Sequence, residues 1–77
     1  MTKRINNKPR LKKKGYAILT HREVEILSMV AVGFSNRDVA EELCVSHHTV
    51  KWHLRNVFKK ISVPNRLQAA LWSVKNL

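Results

Sequence analysis

Cys44, His47, His48 and His53 fall close together in the chain, and thiol and imidazole are the side chains zinc most often takes. A zinc site needs four ligands that converge tetrahedrally. With Val50 set at 0° on an ideal helical wheel, His48 lies at about 160° and His53 at about 300°, roughly 140° apart. His21 is remote and there is no second cysteine, so no metal is expected and no other cofactor is implied. Cys44 then reads as a small apolar residue in a turn, and His47 and His48 as polar residues opening a helix. His53 reads as a packed or hydrogen-bonded histidine at the edge of a buried stripe. Nucleophile chemistry fares no better: Ser35, Ser46 and Thr49 sit where helix caps are needed, and Asp38, Glu41 and Glu42 crowd one short segment without a partner site. No catalytic constellation is present, and the chain is not expected to be an enzyme.

What remains of that stretch is its charge. Residues 46–60, SHHTVKWHLRNVFKK, hold four Lys or Arg, three His and a Trp with no acid. On the same wheel Val50, Leu54, Val57 and Ile61 cluster between about 340° and 40°, whereas Lys51, Arg55, His48, Lys59 and Trp52 spread from about 100° to 200°. An apolar back with a cationic front suits a helix laid in the major groove of double-stranded DNA, where Arg and Lys pair with guanine N7 and O6. The plain alternative is a solvated charged face. Two features weigh against it: solvated faces mix signs, and solubility does not explain an exposed tryptophan.

The elements that would hold this helix are legible from caps and spacing. Thr20 with Glu23 forms a capping box and opens a helix over about residues 21–32, with Ile26, Leu27, Val30 and Ala31 as its apolar stripe and Gly33 at its left-handed end. Ser35 with Asp38 repeats the pattern for a helix of barely two turns, carrying Val39, Ala40 and Leu43. Ser46 caps the third helix, which runs to about Ile61, so at most three residues separate helices two and three. That is a helix-turn-helix arrangement. Asn65 with Gln68 opens a fourth helix reaching about Lys75. Phe34 and Phe58 are expected in the core or at its rim. No strand pattern and no internal repeat appears. The expected fold is all-α: a four-helix, tetra-helical helix-turn-helix domain over 16–77, preceded by a disordered basic tail over 1–15.

At 77 residues the chain has length for a single core. Its net charge of +10 points to a polyanionic partner. Seven of the cations lie in residues 1–14, which hold no acid. Such a tail adds counterion release whatever the sequence bound, and insertion into the minor groove is a sharper version of the same idea. A single cysteine excludes an internal disulfide and fits a reducing compartment. No apolar run approaches the roughly 18–20 residues of a membrane span, and no signal-peptide segment opens the chain. The expected location is the cytoplasm, with no membrane partner.

LTHREVEIL (19–27), GFSNRDVAEEL (33–43), VSHHTVKWHLRNVFKKI (45–61) and VPNRLQAA (63–70) together resemble the LuxR-type (LuxR/FixJ, GerE-like) helix-turn-helix domain of bacterial transcription regulators. The resemblance runs without a gap over about residues 19–70. It implies a four-helix fold in which helices two and three read DNA and helix four pairs two copies over a roughly two-fold site, in a bacterial, nucleoid-associated setting. It also implies base contacts at Lys51, Trp52 and Arg55, the face the wheel selects, with His48 beside them. Phosphate contacts are implied at Ser46, His47, Thr49 and Lys59. Trp52 is larger than the residue common at that place, so stacking, a thymine-methyl contact and steric shaping all stay open for it. Glu25 matches a family acid in helix one and reads as structural. The Met start and a basic leader favour a stand-alone regulator over a piece of a longer one.

On helix four, Leu67, Leu71 and Val74 share one face and Ala69, Ala70 and Ser73 the other. One face must meet helices one and three. The spare Leu67–Leu71–Val74 face is a candidate homodimer seam, with ordinary core packing as its alternative. Two other functions fit the residues less fully. One is an RNA-polymerase-dependent module similar to sigma-factor region four, and the other is a non-specific nucleic-acid binder driven by the basic tail.

Overall fold

The computed structural model describes residues 19–77. The tail expected over 1–15, with its domain boundary at 15/16, lies outside them. The described residues form four helices and no strand: α1 His21–Ala31, α2 Asn36–Leu43, α3 His47–Ile61 and α4 Arg66–Asn76. The all-α, four-helix expectation is met.

Each helix begins at the cap its sequence announces. Thr20 and Glu23 close a full capping box: the Thr20 amide donates to Glu23 Oε1 at 2.9 Å and the Glu23 amide to Thr20 Oγ1 at 3.1 Å. Ser35 and Asp38 do the same at 3.1 and 3.0 Å. Ser46 Oγ accepts the Thr49 amide at 3.0 Å and Asn65 Oδ1 the Gln68 amide at 2.9 Å. These bonds satisfy amides that have no partner inside the helix, which is why a short polar residue stands at every start.

Three of the helices also end alike, in a left-handed residue flanked by crossed backbone bonds. After α1, Gly33 has φ 107°, with Gly33 N–H donating to Val30 O and Phe34 N–H to Met29 O. After α2 the residue is Cys44 (φ 57°), with Val45 N–H bonded to Ala40 O. After α3 it is Ser62 (φ 59°), with Val63 N–H bonded to Phe58 O. The expectation for Gly33 holds. Cys44 stands in the turn as expected, but its side chain is exposed and serves no core.

The core has two halves. Leu19, Leu27, Val57, Ile61, Ala69 and Trp72 join α1, α3 and α4, while Ile26, Val30, Val39, Ala40, Val50 and Leu54 join α1, α2 and α3. Phe58 packs against both. Since α3 contributes Val57 and Ile61 to one half and Val50 and Leu54 to the other, its back is gripped along its whole length. The four residues the wheel grouped are all buried.

Candidate nucleic-acid interface

With its apolar stripe fixed, the opposite side of α3 has no neighbour among the described residues. Three residues, Cys44 to Ser46, separate α2 from α3, with Cys44 in the left-handed conformation between them. Lys51, Trp52, Arg55 and Lys59 are exposed, as are Ser46, His47 and His48, and Thr49 is half-buried. Trp52 keeps 57% of its surface in solvent. Its indole meets the His53 ring edge-on at 5.1 Å and 66°, a contact that favours one orientation of the indole. His53 is half-buried at the stripe's edge, as expected.

His48, Thr49, Lys51, Trp52 and Arg55 line one shallow depression. The structure therefore brings together all four residues expected to read bases. Lys59 lies in the next groove with His53, Asn56 and Lys60, and Trp52 forms the wall between the two. His47 is not gathered with them; it faces a separate hollow beside Arg37, Glu41 and Cys44. Ser46 and Thr49 are engaged with each other, their hydroxyl oxygens 2.9 Å apart, so both spend hydrogen bonds on the cap. Among the described residues the ion pairs are Arg22–Glu25 and Lys60–Glu23, which leaves Lys51, Arg55 and Lys59 with no carboxylate partner. No group of three or more His, Cys, Asp or Glu among them is disposed to hold a metal ion. None of the described helices is long and apolar enough to cross a membrane.

The structural acid of α1 is Glu23, not Glu25. Glu25 is exposed and meets only Arg22, at 3.4 Å on the surface, because its place on the helix points away from α3. Glu23 is 4% exposed and accepts from Lys60 Nζ at 2.8 Å. Burial pushes its carboxyl pKa up, but the hydrogen bonds from Lys60 and Thr20, with the Lys60 charge, outweigh burial and hold it below its ordinary value. The pair ties the start of α1 to the end of α3. Lys60 falls about 80° from the apolar stripe on the wheel, a position that could have marked it as facing a neighbour. Asp38, fully exposed, is likewise held low by its bonds to Ser35. Arg66 was not singled out from sequence either: its two guanidinium nitrogens donate to Asn36 Oδ1 and Phe34 O, each at 2.7 Å. A bond to a backbone carbonyl leaves no trace in residue types.

On α4 the buried side is Ala69, Trp72 and Ser73. Leu67, Leu71 and Val74 are 65, 49 and 76% exposed, so the apolar face that was expected to be spare is open in the single chain. Trp72 escaped the sequence reading; it follows Ala69 by three positions, and that spacing alone could have assigned it to the inner side.

Two helices joined by a three-residue turn, the second anchored by its back and presenting a cationic, acid-free front, define a helix-turn-helix regulatory domain. Residues 17–73 match the family of bacterial regulatory proteins described as the luxR family, and the chain belongs to that family, one of regulators and not of enzymes. It is 54% identical over 61 residues to the CsgBAC operon transcriptional regulatory protein of Escherichia coli, covering 79% of this chain and 28% of that one. It is 44% identical over 64 residues to the transcriptional regulatory protein DegU of Brevibacillus brevis (83% and 27%). With the response regulator protein VraR of Staphylococcus aureus the identity is 35% over 74 residues (94% and 35%). The chain thus spans about a quarter to a third of the length of these relatives.

Proposed function

We propose that this chain binds double-stranded DNA sequence-specifically as the reading module of a transcription regulator, with α3 in the major groove and two copies paired through α4. One observation carries the reading. Lys51, Trp52, Arg55 and His48 share a single exposed depression that no carboxylate lines, on the side of α3 opposite its buried stripe. Lys51 and Arg55 are the base-pairing cations, His48 reaches an adjacent edge, and Trp52 offers an apolar plane to the groove. Thr49 in the same depression, Lys59 in the next groove, Ser46 at the cap and His47 in its separate hollow hold phosphates, which fix register without reading sequence. The open Leu67–Leu71–Val74 face supports pairing, because two copies related by a two-fold axis would bury it against itself.

Selection of bound sites from random duplex DNA tests both halves of the proposal. A recovered motif with two inverted half-sites supports it; recovery of no motif removes it. Footprinting the motif with and without RNA polymerase separates the sigma-like alternative, for which protection appears only with polymerase. Removing residues 1–14 weakens binding to every duplex and leaves the preference intact. Loss of all binding on that truncation would instead mark a tail-driven, non-specific binder.

A further inference from the structure

A second cationic groove runs along the other flank of α3. It is lined by Asn36 from α2, by Lys51, Leu54, Arg55 and Phe58 from α3, and by Arg66 from α4. Three of its six residues are cations and none is an acid; Lys51 and Arg55 also line the reading depression, and Arg66 is the cation that the base-reading argument leaves free.

Arg66 is the unusual member. It is half-buried, yet both of its recorded partners are neutral: the Asn36 amide oxygen and the Phe34 carbonyl. Among the described residues no carboxylate pairs with it. A guanidinium taken partly out of water against neutral dipoles keeps its full charge and three of its five N–H donors. Side-chain entropy is already lost, because two 2.7 Å bonds hold the fork. A fixed, uncompensated fork at the edge of a cationic groove is the arrangement that takes up a phosphate oxygen pair. Its place fits too: Asn36 is the first residue of α2, and in helix-turn-helix docking the helix before the reading helix crosses the DNA backbone.

We infer that Arg66, steadied by Asn36 and the Phe34 carbonyl, binds a backbone phosphate of the DNA that α3 reads. The site rests on the proposed DNA-binding function and adds to it a contact from the fourth helix. It makes the start of α4 part of the DNA-binding surface.

The test is the salt dependence of binding to the selected duplex, measured for wild type, Arg66→Gln, Arg66→Lys and Asn36→Ala. Losing one phosphate contact lowers the slope of log K against log salt by about 0.9. Arg66→Gln is expected to show that drop and Arg66→Lys to retain the wild-type slope, since the ammonium keeps the charge while losing the fork. Asn36→Ala, which removes one brace and no charge, is expected to weaken binding at unchanged slope. A duplex with a neutral methylphosphonate at the contacted position is expected to bind wild type and Arg66→Gln alike. If Arg66→Gln lowers affinity with the wild-type slope, or if no methylphosphonate position erases its effect, Arg66 only braces the fold and the inference fails. If wild type itself selects no duplex, it is the DNA-binding reading that falls.

Discussion

Arg55 and Glu23 sit at opposite ends of what one side chain can do here. Arg55 lies in the reading depression with no carboxylate partner among the described residues, so Arg55→Ala leaves folding nearly untouched and costs about 1–3 kcal/mol on the selected site, with relaxed preference at one base pair. Thermal melts and competition binding check both parts; full affinity for Arg55→Ala and Lys51→Ala alike would contradict the assignment. Glu23 is buried and paired with Lys60 at 2.8 Å, so its influence is on stability. Its folded carboxyl titrates below the ordinary value, hence the unfolded chain binds the proton more readily. The stabilisation is complete above about pH 4.5, the ordinary value, and disappears as pH falls through the lower folded one. Lys60→Met leaves the carboxylate with fewer partners, costs about 1–2 kcal/mol near neutral pH and flattens the acid limb of the stability profile. Denaturant melts between neutral pH and pH 3 would reveal an unflattened limb if the pair were inert.

Helix ends show how far sequence carries and where it stops. Thr20, Ser35, Ser46 and Asn65 were all readable as starts because one polar side chain meets one amide three residues on, a local bond that residue types encode. Gly33 was readable as a stop for a similar reason, since its φ of 107° suits glycine. Cys44 and Ser62 adopt the same left-handed bend without being glycine, and nothing in their chemistry announces it. Neighbouring packing imposes the bend, at a conformational cost. Replacing the exposed Cys44 by glycine relieves that cost and is expected to stabilise the domain by about 0.5–1 kcal/mol. Equilibrium unfolding of Cys44→Gly measures it, and a destabilised variant would show that the thiol contributes packing the bend does not explain. The pairings between elements, Glu23 with Lys60 and Arg66 with the Phe34 carbonyl, were invisible for a different reason. They join residues 37 and 32 positions apart, and only the assembled helices bring such groups together.

For the whole molecule, the exposed cationic face proposed to read bases was legible because its four residues all lie on α3, and a single wheel separates them from the buried stripe. The surface proposed for pairing was half legible: the Leu67–Leu71–Val74 stripe could be seen, but which side of α4 faced inward was decided by Trp72 and Ala69 reaching the core. Leu71→Glu is expected to leave the melting temperature close to wild type, to abolish self-association in sedimentation, and to reduce binding of a two-half-site duplex far more than of a single half-site. Equal loss on both duplexes would argue against pairing through α4. The separation of duties along α3 has one more effect. Val50, Leu54, Val57 and Ile61 hold the fold together, and Lys51, Trp52 and Arg55 contribute nothing to its interior. If α3 reads DNA as proposed, mutation can rewrite which operator is recognised while folding stays intact, so regulators built on this scaffold can diverge in their targets by changing a few surface side chains.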